Sequence, residues 1–441
     1  MTPVARTTMA LALGSFVLYS ANLREISAQD TAPNRVLAYE VIRSGRLDLD
    51  RLFHGWPASA PIPYWVQRVG PHYVSSYPVA PALLAVPVYL VPILLGADDS
   101  WLWLNVLSKL AASLLAALSV VFVYLTAREL ARRLRTGELS AVAAAVVYAV
   151  ATPTWAVSSQ GLWGHAPAQL GLAVATWALL RPAPGPAALG LAGLATALAV
   201  ACRPPAALVA AAIGAYAIRT RRLAAWPFLA AGGTLGIAVL ASNVWTFGSA
   251  QGGYAWINRT HAQFHGVEGT WSAAGLPGGL AGLLLSPSRG LLVYSPVLLA
   301  AFLGLYGGVR RAREPFLHYL AAGVCGGILT LGIYRVWWGG HSFGPRLLVD
   351  VLPALVLGLV PIWPTLWRER RARWLFGAAF AVSVLVEVVG AFYYPSAREV
   401  DWNVAPRDVD FAHERLWDWR DSQLRRLLQN GPAKPGFRAT P

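Results

Sequence analysis

One acidic side chain and three arginines stand at positions in this sequence that suit group-transfer chemistry. Asp30 comes just after the first long apolar stretch, and Arg203, Arg289 and Arg346 border later ones. An ionised carboxylate can accept a proton from an acceptor hydroxyl. A guanidinium offers a planar fork of N–H donors that fits phosphate. Asp30 is therefore a candidate general base, and the three arginines are candidate anion ligands.

The sequence around Asp30 also allows a structural role. Thr31 and Pro33 are typical of the start of a helix and Gly45 of its end, which predicts a short helix lying on the membrane surface. A carboxylate just before such a helix is stabilised by unpaired backbone N–H groups and by the helix dipole. From the residues alone, Asp30 either caps this helix or serves as a base.

Among the three arginines, Arg346 has the surroundings that best suit an anion. It follows Gly-Pro at the predicted start of a helix, close to three aromatic side chains, so the positive end of the helix dipole and the guanidinium can converge on a phosphate. The alternative for all three arginines is an interaction with lipid headgroups. Asp350 lies four residues after Arg346, which predicts an intrahelical ion pair that orients this arginine. A second catalytic acid at Asp350 is the other interpretation.

Aromatic and polar side chains in the predicted outer loops suit a ligand that has hydroxyls and C–H surfaces, as a sugar has. Polar groups bind sugar hydroxyls, and aromatic faces pack on the C–H surface of a sugar ring. Because the sequence contains 19 tryptophans, seating of aromatic rings at the membrane interface is the competing explanation. The candidates are Tyr77, Gln160, Trp163, His165, Trp338 and His341.

No metal site or other cofactor is indicated by the residue pattern. His261 and His265 have a helical spacing in NRTHAQFHG, but no carboxylate or third ligand accompanies them at a recognised spacing. Cys202 and Cys325 lie in separate apolar runs, which argues against a disulfide framework and a zinc site. Glu387 lies inside a predicted span, where a carboxyl group usually faces a cavity or a partner.

The elements that position these residues are predicted to be membrane helices. The chain of 441 residues is 56% hydrophobic and only 13% charged, whereas soluble domains are about one quarter charged, so a soluble enzyme is excluded. A helical span needs about 20 apolar residues. This criterion predicts an all-α polytopic membrane protein with about eleven transmembrane helices, near residues 5–23, 101–126, 139–156, 166–180, 187–202, 204–218, 223–246, 290–308, 316–336, 347–366 and 374–394.

Orientation depends on whether the apolar segment 78–95 crosses the membrane. Its four prolines would repeatedly break a regular helix, so we expect an interfacial or re-entrant element. The connections that then share the side of the N-terminus hold 16 arginines against four glutamates, which places that side in the cytoplasm. The formal charge of +15 is thereby explained by orientation, without a nucleic-acid partner.

These assignments divide the chain into two parts. Residues 1–394 form the transmembrane domain, which includes a first outer loop at 24–100 with helices along the membrane surface. Residues 395–441 form a short C-terminal tail outside the cytoplasm. We expect the tail to be a solvated appendage; Trp402, Trp417 and Trp419 alternatively seat it at the membrane surface.

The order of these features resembles the GT-C superfamily, polytopic glycosyltransferases that use polyprenyl-phosphate sugars and include protein O-mannosyltransferases and the lipid A aminoarabinose transferase. The resemblance covers most of residues 1–395. It rests on the acid just after the first span, the surface helix ending in Gly-x-Leu-Asp, and the sequences SSYPVAPALLAVPVYL, SQGLWGH, LLSPSRGLLVYSP and WWGGHSFGPRLLVDVLP. The last three are similar to stretches in bacterial members.

The resemblance implies a polyprenyl-phosphate sugar donor and an acceptor hydroxyl on a glycan, a lipid or a protein. It implies an active site on the outer face of the bacterial cytoplasmic membrane, with Asp30 as the base of an inverting displacement and the three arginines on the donor phosphate. Many relatives have two adjacent acids where this chain has Asp30–Thr31, which leaves the acceptor class and a divalent metal open.

The alternative function is a transporter or flippase of lipid-linked sugars that uses the same arginines without chemistry. Transporters typically have inverted repeats, and their polar groups lie near the membrane midplane. Here the polar residues gather in the predicted outer loops, which favours an enzyme. A polytopic scaffold protein would not account for the placement of Asp30 and Arg346.

Overall fold

The computed structural model describes residues 2–57, 60–264, 267–311, 314–394 and 402–439, with the backbone alone at 261–264. The side chain of His261 and all of His265 lie outside the described part of the chain. The described residues are mostly helical. The helices are α1 (Pro3–Ser20), α2 (Ala32–Ser44), α3 (Ala80–Leu94), α4 (Trp101–Leu134), α5 (Glu138–Val150), α6 (His165–Leu180), α7 (Pro186–Cys202), α8 (Ala207–Arg221), α9 (Trp226–Phe247), α10 (Tyr254–Phe264), α11 (Leu276–Leu285), α12 (Leu291–Tyr294), α13 (Leu298–Arg311), α14 (Pro315–Gly332), α15 (Leu352–Leu355), α16 (Leu359–Arg368), α17 (Arg370–Tyr393) and α18 (Gln423–Asn430).

Several of these helices are long and apolar enough to cross a membrane. In the described residues five helical segments meet that description: Trp101–Leu134, Pro204–Phe247, Pro315–Gly332, Arg346–Arg368 and Arg370–Tyr393. The second segment bends at Arg222, whose φ of 51° is outside the helical range, so it contains both α8 and α9. The chain is therefore a multi-pass helical membrane protein.

The segment 78–95 contains a continuous helix, α3, although we expected its prolines to break it. Pro81 lies in the first turn, where a backbone N–H would have no partner within the helix, so its absence costs no hydrogen bond. Pro87 and Pro92 lie inside the helix, and neighbouring helices can accommodate such prolines in a membrane protein. At 15 residues α3 is about 22 Å long, shorter than the apolar core of a bilayer, which is about 30 Å thick.

Two further segments depart from the expected continuous helices. The predicted span 290–308 is interrupted at Ser295, between α12 and α13. The ring of Pro296 disfavours a helical backbone conformation at the residue before it. The predicted span 347–366 begins as a 3-10 helix over Arg346–Val351. The expected all-α chain also contains a small antiparallel hairpin, β1 (Val66–Val69) and β2 (His72–Ser75), in the first loop.

Small residues let the helices approach one another closely. A Cβ atom added to Gly193 of α7 would lie 2.0 Å from the carbonyl oxygen of Phe228 in α9. A Cβ atom on Gly304 of α13 would lie 1.9 Å from the carbonyl oxygen of Gly358. Close backbone contact through small residues is the usual way in which membrane helices associate.

The described part of the tail packs against the rest of the chain, so a solvated appendage is the wrong description. Trp402 is only 1% exposed, and the guanidinium groups of Arg289 and Arg415 lie 5.4 and 4.6 Å from its ring centre. Ser286 donates a 2.6 Å hydrogen bond to the carbonyl of Leu416. The tail is thus a folded cap over the loops that carry Arg289 and Arg346.

Candidate active site

A pocket lies where the first loop, the 337–346 loop and the adjoining ends of α3, α6 and α7 meet. Its empty volume, including the open mouth, is about 370 Å³. Six of the ten side chains proposed from the sequence line it, from five separate stretches of the chain: Asp30, Tyr77, Trp163, His165, Arg203 and Arg346. The pocket therefore combines one carboxylate, two guanidinium groups and aromatic rings.

Asp30 sits in a 3-10 turn, Gln29–Thr31, directly before α2. Its side chain accepts no hydrogen bond from the first backbone N–H groups of α2, which has no side-chain cap. Instead Oδ2 accepts a 3.1 Å hydrogen bond from Nη1 of Arg346. Oδ1 is buried and has no hydrogen-bond partner among the described residues. Asp30 therefore presents an unused acceptor to the pocket and does not cap the helix.

Arg346 is held from three directions at the start of the 3-10 helix. Nη2 donates to the carbonyl of Gly339 at 2.8 Å, and Nη1 donates to Asp30. The guanidinium carbon lies 4.6 Å from the ring centre of Trp163, a cation–π contact. Nε is buried and lacks an acceptor among the described residues. One N–H of a well-positioned guanidinium is thus left for a ligand.

Asp350 pairs with residues other than Arg346. Its carboxylate contacts Nε of Arg203 and Nδ1 of His165, the latter at 3.3 Å. The expected Arg346–Asp350 pair is wrong because a 3-10 helix has three residues per turn, so residues four apart do not share a face. Asp350 is almost fully buried. It fixes Arg203 and His165 at the wall of the pocket, and Arg203 lies there as the second cation beside Arg346.

Four of the proposed residues lie outside this pocket: Gln160, Arg289, Trp338 and His341. Gln160 is fully buried and uses both ends of its amide: Oε1 accepts from Asn22 and Lys109, and Nε2 donates to Ser159 and to the carbonyl of Trp155. Such a saturated amide has no free group for a sugar. Gln160 instead ties α1 and α4 to the connection that carries Trp163.

Arg289 and Trp338 hold the 337–346 loop through hydrogen bonds outside the pocket. Arg289 is buried and donates to the carbonyls of Trp338 and Gly340 at 2.9 and 3.2 Å, and to the amide oxygens of Asn403 and Gln423 at 2.6 and 3.0 Å. Nε1 of Trp338 donates to Asp410 in the tail at 2.7 Å. The structure does not bring Arg289 to the pocket. Both side chains support the loop that carries Arg346.

His341 lines a smaller adjoining cavity that shares Trp163 and Arg346 with the pocket. Its Nε2 lies 2.8 Å from Asp408 and 3.3 Å from Asp410, and these three residues place potential metal ligands within 4.8 Å of one another. Asp410 also receives the Trp338 hydrogen bond, so hydrogen bonding within the protein is sufficient to hold this group. It ties the tail to the 337–346 loop.

Three tyrosines and an asparagine complete the site, and sequence reasoning missed three of the four. Asn34 and Tyr254 line the pocket with Tyr77. Burial, increased by the nearby Asp30 charge, raises the pKa of Tyr64, Tyr77 and Tyr254, so their hydroxyls stay protonated at neutral pH. Asn34 was accessible from the sequence, because it lies one helical turn after Asp30. Tyr254 and Tyr64 carried no such signal.

The fold is similar to those of two solved proteins, an oligosaccharyltransferase and ArnT. An oligosaccharyltransferase of Archaeoglobus fulgidus, in complex with zinc and sulfate, has a TM-score of 0.55 and 14% identity, over 97% of this chain and 58% of its own. ArnT of Cupriavidus metallidurans, bound to undecaprenyl phosphate, has a TM-score of 0.50 and 15% identity, over 89% of this chain and 65% of its own. This chain thus spans less than two thirds of the length of either protein.

Comparison of the sequence with protein-family models and with curated proteins gives no match. At 14% and 15% identity the structural matches establish the fold alone. The backbone shared with the oligosaccharyltransferase and with ArnT nevertheless agrees with the resemblance drawn from the order of the sequence motifs. The chain thus shares the fold of the oligosaccharyltransferase and of ArnT.

Proposed function

We propose that the protein is an inverting membrane glycosyltransferase that moves a sugar from a polyprenyl-phosphate donor to an acceptor hydroxyl. The observation that carries the proposal is the pairing of Asp30 and Arg346 in one pocket, each with one buried polar atom unused. An unused carboxylate oxygen suits a proton, and an unused guanidinium N–H suits a phosphate oxygen. This is the combination that displacement of a sugar from a phosphate requires.

In the proposed reaction Asp30 Oδ1 accepts the proton of the acceptor hydroxyl. The hydroxyl oxygen attacks the anomeric carbon, and the bond from this carbon to the phosphate oxygen breaks on the opposite face, which inverts the configuration. The leaving polyprenyl phosphate keeps the bonding electrons, and the guanidinium groups of Arg346 and Arg203 stabilise its added charge. The hydroxyls of Tyr77 and Tyr254 are placed to donate hydrogen bonds to the sugar or the phosphate.

Proteins of similar fold support a lipid-phosphate donor. ArnT has been solved with undecaprenyl phosphate, and the archaeal oligosaccharyltransferase AglB has been solved with dolichol-phosphate and an inhibitory peptide. We propose a ligand of this class, a polyprenyl phosphate, for the present chain. The apolar residues at the end of α3, Val91, Leu94 and Leu95, are exposed and suit contact with lipid.

We place the site on the outer face of a bacterial cytoplasmic membrane. Pro81 of α3 lines the pocket with Asp30. At the start of α4, Ser108 donates to Glu25 of the first loop and Lys109 donates to Gln160. The beginnings of α3 and α4 therefore lie on the same side, which supports an α3 that does not cross. The arginine-rich connections then fall on the cytoplasmic side.

A variant with Asp30→Asn tests the proposal in nanodiscs with a panel of synthetic polyprenyl-phosphate sugars. We expect transfer to be lost while donor binding persists, because the amide keeps the shape of the carboxylate but accepts no proton. Asp98→Asn, at an exposed carboxylate between α3 and α4, is the matched control and should transfer normally. Full activity of Asp30→Asn would remove Asp30 as the base, and translocation of donor without transfer would favour a flippase.

A further inference from the structure

A second, larger cavity lies beside the pocket, between the β hairpin and α10. Gly253 and Ser76 touch so closely that a Cβ atom on Gly253 would lie 2.2 Å from the Ser76 carbonyl oxygen. The next residues, Tyr254 and Tyr77, line the pocket, whereas Gln67 and Trp256 line this second cavity. We call it the α10 groove. Its empty volume is about 1020 Å³, open to solvent.

The lining of the α10 groove combines flat aromatic faces with amide and guanidinium groups. Trp256 and Trp271 are 37% and 52% exposed, although both are large apolar side chains. The lining also includes polar side chains from Gln67, Gln251, Asn258 and Arg259. The described lining residues include no carboxylate. Exposed tryptophan faces beside polar side chains suit a ligand that has both C–H surfaces and hydroxyls.

Hydrogen bonds join the wall of the α10 groove that carries Thr270 and Trp271 to α10 and to residues 333–335. Thr270 donates from its hydroxyl to the carbonyl of Asn258 at 3.2 Å. The carbonyl of Thr270 accepts from the N–H of Arg335 at 3.0 Å, and the N–H of Ser272 donates to Ile333 at 2.8 Å. The wall that carries Trp271 is therefore joined to the segment that leads into the Arg346 loop. A preformed groove binds a ligand with little ordering cost.

We infer that the α10 groove binds the acceptor, and that the acceptor is a carbohydrate chain. This inference rests on the proposed transferase function, and it selects one acceptor class among glycan, lipid and protein. A lipid acceptor would need a continuous apolar lining. A peptide usually anchors through apolar pockets or a free sheet edge, whereas here two partly exposed tryptophans stand among polar lining residues. Tyr77 and Tyr254, which follow Ser76 and Gly253, line the pocket with Asp30, so the groove lies next to the proposed site of transfer.

Binding of the full-length protein in nanodiscs to an array of immobilised oligosaccharides, with a peptide array in parallel, tests this inference. We expect a subset of oligosaccharides to bind, and Trp256→Ala and Trp271→Ala each to weaken binding by about tenfold, the contribution of one aromatic stacking contact. Trp256→Phe and Trp271→Phe keep an aromatic face and should retain most of the binding, which separates lost stacking from misfolding. Trp419→Ala, at a tryptophan of the tail that is exposed outside the groove, should bind as the unaltered protein does.

Absence of oligosaccharide binding, equal binding by the alanine variants, or selective binding of peptides would overturn the inference. Asp30→Asn separates it from the proposed function. If that variant binds oligosaccharides normally and transfers no sugar, both proposals stand. If it binds and transfers normally, the role of Asp30 fails while the α10 groove remains a carbohydrate site.

Discussion

Arg346 Nη1 lies 3.1 Å from Asp30 Oδ2, an ion pair between residues 316 positions apart in the sequence. Each side chain is 13% exposed, so the pair is shielded from water and its electrostatic interaction is stronger than at a surface. The pair holds the guanidinium of Arg346 beside the carboxylate of Asp30. In the proposed reaction the same guanidinium would contact the base and the donor phosphate, so loss of either partner should affect donor binding and the chemical step differently.

Arg346→Lys should weaken donor binding more than it destabilises the protein. Lysine keeps the positive charge but loses the planar fork and the Nε donor. Loss of charge-assisted hydrogen bonds worth about 1.5–3 kcal/mol corresponds to a rise of about 10- to 100-fold in the KM for a polyprenyl-phosphate sugar. Steady-state kinetics in nanodiscs measure this change. Arg310→Lys, at an exposed arginine of α13 that bonds only Tyr306 among the described residues, should leave the KM unchanged.

Asp350→Asn should destabilise the fold itself. The carboxylate neutralises Arg203 and holds His165 inside the protein, and removing one partner of a buried ion pair typically costs about 3–5 kcal/mol. Thermal unfolding in detergent, followed by fluorescence, should show a markedly lower Tm. The double variant Arg203→Met/Asp350→Asn removes the uncompensated charge as well and should recover part of the loss. A double variant less stable than Asp350→Asn would show that the pair is not the source of the effect.

These two ion pairs explain why the sequence predicts some site residues and not their partners. Asp30 and Arg346 were identifiable because each borders an apolar stretch, and a charged residue at such a position indicates a binding partner or a function. The partner of Asp350 was not identifiable, because the helical spacing to Arg346 assumed an α-helix and Arg203 is 147 residues away. Arg289 and Gln160 were misassigned because composition does not reveal that the tail and the first turns of α4 saturate their hydrogen bonds. The multi-pass helical character of the chain was predicted well, since hydropathy is a local property, and five segments of the described residues are long and apolar enough to cross a membrane.

Gly193→Ala should destabilise the packing of α7 on α9. The added methyl group would lie 2.0 Å from the carbonyl oxygen of Phe228, so the helices must separate, at a cost of about 1–3 kcal/mol. Gly190→Ala is the matched control one turn earlier on α7, because its Cβ atom would meet nothing closer than 3.8 Å. Comparison of the two Tm values measures the effect. A similar Tm for both variants would mean that α7 and α9 are not in close backbone contact.

Gln423→Ala should reduce sugar transfer although Gln423 lies in the tail and outside the pocket. Its Oε1 accepts hydrogen bonds from Gly344 N and Arg289 Nη1, both at 3.0 Å, and its Nε2 donates to the Ser342 carbonyl at 2.9 Å. Alanine leaves these buried groups unsatisfied, at a cost of about 1–3 kcal/mol, and the loop that positions Arg346 loses its support.

Hydrogen exchange should therefore rise at residues 339–346 in Gln423→Ala, together with a lower kcat/KM. Gln429→Ala, at an exposed glutamine of the same helix α18, should change neither measurement. Faster exchange in the tail alone, with normal transfer, would show that the cap is dispensable for the site. Since Arg346 is anchored through Gly339 at one end of this loop and through Asp30 across the pocket, we expect the tail to act on transfer by limiting the motion of that single guanidinium.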